Sequence, residues 1–272
     1  MYSGMYIFSK HVGVITGAHQ KIDRVAREDL KRLLINDEVF PKTKDILKFE
    51  GVNGPDSIKI KSPGKDEPWH FIDPFDDKDN RLYEIIKSHY DELVKALKNK
   101  DQVRSAFDAA WLAHALVDGL TPAHHHPYEE EMRRLRGGEN QGSRMSIKDK
   151  LIMPGKSVKE ILSNNWRMWG PKGLISTHIM FEGGFATLIA PMNFKKLQVT
   201  KQDIENLRTV GLKEWFDEQV MAVADLGIYE NFYRYGWTIK LGRQSRQVLA
   251  PRIIKDVTLI WYSAVLDAGL LR

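Results

Sequence analysis

Apolar residues recur every three or four positions over most of this chain, which is the spacing that one face of an α-helix requires. Strand-type alternation is weak, and neither an internal repeat nor an interdomain linker interrupts the pattern. The sequence therefore predicts an all-α fold, a single-domain multi-helix bundle over residues 1–272. The segments with this spacing are a stretch that follows His19 and residues 80–97, 101–118, 174–189, 201–226 and 248–271.

Two stretches lack the helical spacing. Residues 41–79 are rich in Gly, Pro, Asp and Lys and are predicted to be a loop. Residues 127–176 are predicted to be an elaborated insert with a mobile surface loop at 133–144. The arginines and tryptophans of this insert suit either a lid that contacts substrate or an elaborated surface with packed tryptophans. These residues are Arg133, Arg134, Arg136, Trp166 and Trp169.

The absence of cysteine limits the chemistry of the chain, which has nine histidines. Disulfides, thiolate zinc sites and a cysteine nucleophile are excluded, so a bound metal needs His, Asp, Glu or backbone ligands. The formal net charge of +5 favours anionic partners such as phospholipid headgroups or nucleic acid. The 41 basic and 36 acidic residues also suit an ordinary solvated surface.

His114 and Asp118 lie four residues apart in a segment for which Asp101 is the predicted N-cap. Both side chains therefore project from one helix face, with Cβ atoms about 5–6 Å apart. The rest of that face is apolar, and burying an imidazole and a carboxylate there is costly unless they pair or bind a cation. By itself the pair fits a structural hydrogen bond as well as a metal site.

Three histidines, His124, His125 and His126, follow this pair closely. The helix is predicted to end at Gly119, and the loop is predicted to fold back and bring His124 near Asp118. Alone, three adjacent histidines are compatible with a solvated loop. Next to a same-face His/Asp pair they favour a metal site.

Further residues of the same chemical types are spread along the chain. His178 and Glu182 repeat the four-residue spacing, His70 stands among aromatic residues, Asp56 lies in a Gly-Pro-Asp turn, and His19 opens the first helix. Taken singly, these are ordinary as an exposed helical hydrogen bond, a core histidine, a turn aspartate and an exposed polar residue. Taken together, they favour one metal cluster.

The order of these residues resembles the superfamily of zinc-dependent phospholipases C and single-strand-specific nucleases. The shared features are a histidine at the start of helix one, an aspartate turn before His-Phe-Ile-Asp, His-x3-Asp, a histidine six residues further on, and His-x3-Glu. The phospholipase branch ends its pattern with glutamate, as here, whereas the nucleases more often use aspartate. The resemblance covers residues 19–182, is most specific over 114–124, and implies a helix bundle with a metal cluster at the base of a cleft.

The resemblance implies two zinc positions and a third that is less defined. One zinc would be bound by Asp56, His70, His114 and Asp118, and another by His124, His178 and Glu182 with a place left for water. In the family a third zinc lies between the helix-one histidine, here His19, the shared aspartate, here Asp118, and an N-terminal tryptophan. Met-Tyr-Ser-Gly opens this chain without a tryptophan, so that position is expected to be empty, to use His11 or to be completed by another group.

The activity that the resemblance implies is hydrolysis of a phosphodiester by a metal-activated water. Zinc lowers the pKa of bound water to about 7 and polarises phosphoryl oxygens. Asp118 would bridge two metals, and Asp56, at the edge of the cluster, is predicted to orient or deprotonate the attacking water. The expected substrate is a phospholipid or another phosphodiester, and no obligate protein partner is evident.

Two alternatives remain open at this stage. A nuclease acting on single-stranded nucleic acid would use the arginine-rich loop and the tryptophans. A non-catalytic binding protein stabilised by metal would need closed sites with four protein ligands, whereas the second site here offers three. The N-terminus shows no signal peptide, and four charged residues in 248–271 exclude a membrane span, so the expected location is cytoplasmic, although family members are often secreted.

Overall fold

The computed structural model describes residues 17–51, 53–194 and 199–271. All regular structure in these ranges is helical and contains no strand, which confirms the predicted all-α class. The α-helices are α1 Ala18–Leu33, α2 Thr43–Ile46, α3 Pro55–Lys61, α4 Arg81–Lys98, α5 Gln102–Gly119, α6 Tyr128–Leu135, α7 Ile147–Leu151, α8 Val158–Trp169, α9 Leu174–Ile189, α10 Lys201–Val210, α11 Leu212–Ala224, α12 Ile228–Tyr235, α13 Ile239–Gln244 and α14 Ala250–Asp267.

Helix α5 lies at the centre of the bundle. Its sequence is apolar on almost every side, and a helix of this kind has to be surrounded by other elements. It packs along α4 and also contacts α1, α2 and α14. The predicted N-cap is confirmed, because the side chain of Asp101 accepts a hydrogen bond from the backbone N–H of Arg104. Burial of α5 carries His114 and Asp118 into the interior.

Helix α14 forms the other long wall of the core and packs against α1. The helical spacing predicted over 248–271 is confirmed, since Ile253, Val257, Ile260 and Trp261 are buried on this helix. Asp256 is buried with them. A π-helical turn, Ser245–Leu249, leads into it. None of the described helices combines the length and the apolar character that are needed to cross a bilayer.

Two predicted segments differ from the structure in local detail. The helix predicted over 201–226 is divided into α10 and α11 by Gly211, whose φ of 87° lies outside the range of a right-handed helix. The loop predicted over 41–79 contains the short helices α2 and α3. Asp56 accordingly lies in the first turn of α3, after the N-cap Gly54 and a proline that suits the first helical position.

The mobile loop predicted at 133–144 is wrong, because this segment is folded. Arg136 and Arg144 are buried, and Arg144 pairs with Glu129 at 2.8 Å. The insert has a small core of its own, which contains Phe71, Tyr128, Met132, Leu135, Met153 and Met168. The prediction of packed tryptophans is also wrong, since Trp166 is 69% exposed and Trp169 is 39% exposed.

Candidate metal centre

Asp118 lies at the centre of a group of four imidazole rings. Its Oδ1 atom is 3.4 Å from Nε2 of His19 and 3.6 Å from Nε2 of His124. Its Oδ2 atom is 2.6 Å from Nδ1 of His70 and 3.2 Å from Nε2 of His114. The carboxylate is fully buried. Each oxygen of Asp118 therefore faces a different pair of histidines, which is the placement that a bridging carboxylate requires.

The predicted site residues fall into three groups whose ligand atoms lie within 4.8 Å of one another in each group. Any of these groups could hold a metal ion. Two of the groups share His114, and His124 of the third lies 3.6 Å from Asp118, so the three are neighbours in one cluster. They are His19 with His114 and Asp118, Asp56 with His70 and His114, and His124 with His178 and Glu182. All eight residues come together, although they are supplied by α1, α3, α5, α9 and the connections between helices.

The loop after α5 folds back as the sequence predicts. The backbone N–H of Thr121 donates to the carbonyl of Asp118 at 3.0 Å, and the N–H of His124 donates to the carbonyl of Thr121 at 2.9 Å. A backbone hydrogen bond from Ile72 to the carbonyl of His124 ties this turn to the segment that contains His70. His125 lies outside the three groups and contacts the carbonyl of Gly119 through Nε2 at 2.8 Å.

The contacts of His124 test whether the site suits a cation. Its Nδ1 atom lies 2.6 Å from the carbonyl of His70 and has to donate there, which leaves a lone pair on Nε2 in the neutral ring. That Nε2 atom is 2.8 Å from Oε1 of Glu182, and the same oxygen is 3.0 Å from Nε2 of His178. Two lone-pair atoms at such a distance need a shared positive charge, which is a proton or a metal ion.

Unpartnered nitrogen atoms give a second test. Both ring nitrogens of His19, and Nε2 of His70 and of His114, are buried and make no hydrogen bond within the described part of the chain. A buried polar atom without a partner is costly and calls for an explanation. Imidazole nitrogens and carboxylate oxygens together are a donor set that suits a divalent transition metal, so the residues fit such an ion.

The protonation states of the cluster agree with this donor set. Burial lowers the pKa of His70 to about 4 and that of His124 to about 3, so both rings are neutral near pH 7. Burial acts to raise the pKa of Asp118 and of Glu182, but neighbouring histidines hold both well below the usual range. His70 and His124 therefore present neutral imidazoles, and Asp118 and Glu182 present ionised carboxylates, which are the forms that bind metal.

His114 differs from the other rings of the cluster. Burial acts to lower its pKa, but the carboxylates of Glu50, Asp118 and Asp56 raise it well above the ordinary value of a histidine. The pKa of Asp56 itself is lowered to about 2, because the nearby histidines outweigh the effect of burial. A divalent ion that bound here would displace the proton on His114 and balance the same carboxylates.

Glu50 is a functional candidate that sequence reasoning missed. It is fully buried, and its two carboxylate oxygens are 3.0 and 3.2 Å from Nδ1 of His114. A carboxylate that accepts from one ring nitrogen fixes the orientation of the ring and directs the other nitrogen. Here it directs Nε2 of His114 towards Asp118 and Asp56. The glutamate has no partner at helical spacing, so no sequence signal marked it.

Gly54 explains how Glu50 and Asp56 reach the same cluster. A Cβ atom at this glycine would lie 2.5 Å from the carbonyl oxygen of Glu50, so no other residue allows the backbone to approach so closely. Asp23, one turn after His19 on α1, is a further buried carboxyl near Glu50. Burial and the charge of Glu50 raise its pKa well above the ordinary value.

Solvent reaches the cluster from one side. The side chains of Asp56 and His178 are 22% and 16% exposed, whereas the other six site residues are at most 4% exposed. A cleft of about 470 Å3 lies beside the cluster and is lined by Trp69 and Phe71, the neighbours of His70 in the chain, and by Tyr128. None of the eight site residues lines that cleft.

Part of the prediction for the third metal position falls on residues that are not described. His11 and the first residues of the chain lie outside the described ranges. Within those ranges, His19 lies near Asp118 and His114, and its Nδ1 atom is 4.0 Å from Glu50.

Comparisons of this chain with models of known protein families, with curated proteins and with solved structures give no significant match. The resemblance to the phospholipase C and nuclease superfamily, which rests on residues 19–182, therefore stays a prediction.

Proposed function

We propose that this chain is a zinc-dependent phosphoric ester hydrolase of the phospholipase C type, which cleaves a phospholipid or a related phosphodiester. The observation that carries the proposal is the position of Asp118, whose two oxygens lie within 3.6 Å of histidines from all three ligand groups, with a partly exposed residue in two of the groups. A purely structural metal site is closed by four protein ligands, whereas the group of His124, His178 and Glu182 offers three.

The chain's own residues have separate roles in this proposal. Asp56, His70, His114 and Asp118 would hold one ion, His124, His178 and Glu182 would hold another, and His19 with Asp118 would offer the third position. Zinc ions held there would supply a water molecule with a pKa of about 7 and polarisation of the phosphoryl oxygens.

Asp56 is the residue proposed to orient the attacking water. It is the most exposed carboxylate of the cluster, so its oxygens can accept a hydrogen bond from a water that enters from solvent. Because its pKa of about 2 makes it a weak base, positioning suits it better than proton abstraction. Glu50 holds His114 in place from the interior side.

A cavity with two unpaired cations supports an anionic substrate. It measures about 280 Å3 and is lined by Arg167, Lys172 and Thr177, the last of which precedes His178 in the chain. Glu131 also lines it, and its carboxylate is paired with Arg134 at 2.6 Å. Neither of the two cations forms an ion pair with a residue that the structure describes. The Thr177 hydroxyl is buried and makes no hydrogen bond there. These groups suit a phosphate oxygen.

The test combines metal analysis with two esterase assays on untagged protein. We expect at least two zinc ions per chain, release of the water-soluble headgroup from phosphatidylcholine in mixed micelles, and loss of both in His114→Ala. His125→Ala is the matched control, because this residue adjoins His124 but belongs to none of the three ligand groups and does not line the cavity of Arg167 and Lys172.

Three results would count against the proposal. Less than one ion per chain would refute the cluster. Full zinc content without hydrolysis of any phosphodiester would indicate a metal-stabilised binding protein. Cleavage of single-stranded DNA without headgroup release would support metal-dependent phosphodiester hydrolysis but would show that the substrate is nucleic acid and not phospholipid.

A further inference from the structure

Helix α8 directs an apolar stripe towards solvent. Val158, Ile161, Leu162, Trp166 and Trp169 recur at intervals of three and four residues, so they share one face of the helix. Their exposed fractions are 74, 37, 66, 69 and 39%, respectively. Met168, seven residues after Ile161 and so at the edge of this stripe, is buried and belongs to the small core of the insert. An amphipathic helix normally buries its apolar face, whereas most of this stripe is open to solvent.

The preceding segment extends this stripe. Met145, Ile147, Leu151 and Ile152 are between 45 and 58% exposed. The indole N–H of Trp169 donates to the carbonyl of Leu151 at 2.7 Å, which joins the end of α7 to the end of α8. We call these nine exposed apolar residues the α7–α8 face. Single exposed apolar residues are common on soluble proteins, but a grouped set marks an interaction surface.

The charges around the α7–α8 face are mostly positive. Three exposed lysines lie in or beside it, and none forms an ion pair with any residue in the described ranges. They are Lys148, Lys156 and Lys159. The two carboxylates of the same stretch, Asp149 and Glu160, accept hydrogen bonds from backbone N–H groups at the starts of α7 and α8.

The apolar stripe and the unpaired cations together indicate which partner binds the α7–α8 face. Two copies of the face would bring six unpaired lysines together, which opposes self-association. A soluble anion would be attracted by the cations but would leave the apolar stripe exposed. An anionic bilayer satisfies both, since tryptophan and aliphatic side chains enter the headgroup boundary while lysine and arginine contact acidic lipids.

We propose that the α7–α8 face docks on anionic lipid bilayers and so brings the metal centre to a phospholipid in the membrane. Helix α8 packs against α9, which carries His178 and Glu182, so the docked surface and the candidate site belong to neighbouring helices. The proposal deepens the proposed function and rests on it for the link to catalysis, whereas the docking itself is measured without turnover.

The test is co-sedimentation of the full chain with vesicles. Wild-type protein is expected to bind phosphatidylcholine vesicles that contain about 30% phosphatidylglycerol at least about tenfold more tightly than vesicles of phosphatidylcholine alone, and salt should weaken this binding. The double variant Leu162→Gln, Trp166→Gln should bind the anionic vesicles about tenfold or more weakly. The control is Ile35→Gln, Ile239→Gln, which changes two residues that are each 84% exposed elsewhere.

Hydrolysis assays separate this inference from the proposed function. The Leu162→Gln, Trp166→Gln variant should cleave a soluble phosphodiester as wild type does and lose activity on vesicles. His114→Ala should lose hydrolysis but keep vesicle binding. Equal vesicle binding by wild type and the double variant would overturn the docking proposal. The docking proposal would also be overturned if the wild type formed a dimer and bound no vesicles while the double variant was monomeric. Vesicle binding by a protein that hydrolyses nothing would refute only the proposed function.

Discussion

Glu50→Gln tests whether a buried carboxylate positions His114 for metal binding. The substitution keeps the size of the side chain but weakens the charge-assisted contact with Nδ1 of His114 at 3.0 Å. Removing a partner of this kind from a metal-bound histidine typically lowers affinity about 10–100-fold, which corresponds to roughly 1.4–2.8 kcal/mol. Both side chains are at most 2% exposed, so water cannot compensate for the lost negative charge and we expect the upper half of that range.

The assay is competition for zinc with a chelator, followed by thermal unfolding of the loaded protein. Binding energy lost from the folded state lowers the melting temperature, by roughly 2–4 °C per kcal/mol for a chain of about this size. Asp108→Asn is the matched control, because Asp108 is also a fully buried carboxylate on a histidine, 2.9 Å from Nδ1 of His89, and lies outside the three ligand groups. Zinc affinity that falls no further in Glu50→Gln than in Asp108→Asn would refute the reasoning.

Three further predictions concern the fold around the site. Gly54→Ala places a Cβ atom 2.5 Å from the carbonyl of Glu50, so we expect a loss of about 1–3 kcal/mol and weaker zinc retention, measured by urea unfolding and chelator competition. Burial raises the pKa of Asp256 to about 7, against 3.8 for the ordinary group, so the free energy of unfolding of the wild type falls as the pH rises from about 4 to 7. In urea unfolding, Asp256→Asn should therefore gain stability relative to the wild type across that window. An equal difference between the two proteins at both ends of the window would contradict this. Arg144→Ala leaves Glu129 without its buried partner and should lower the free energy of unfolding by up to about 3–5 kcal/mol. Limited proteolysis should then cut residues 127–176 faster, and an unchanged rate would count against this prediction.

Much of the fold was predictable because helical spacing is a local property. The segments predicted over 80–97, 101–118 and 174–189 correspond to α4, α5 and α9 within about one residue at each end. The pattern could not show that Gly211 breaks 201–226, since a single glycine is tolerated within many helices. It also could not show that Arg136 and Arg144 are buried, because their partners come from other parts of the chain or from backbone groups.

The candidate site was likewise predictable only where it depends on local spacing. His114 with Asp118 and His178 with Glu182 were recognisable because residues four apart share one helix face. The order of His19, Asp56 and His70 along the chain suggested one cluster through a resemblance, whereas His124 was expected near Asp118 because the helix ends at Gly119 and the loop folds back. Glu50 carried no signal, since its contact with His114 joins residues that are 64 positions apart.

The sequence by itself determined the all-α class, the exclusion of cysteine chemistry and the two same-face ligand pairs, since each depends on composition or on spacing within one helix. The tertiary structure decided that Asp118 lies between four histidines, that Glu50 supports His114, that solvent reaches the cluster at Asp56 and His178, and that α8 turns its apolar stripe outward. These features depend on how helices pack against one another. Packing is set by the whole set of buried faces together, and no single segment encodes it.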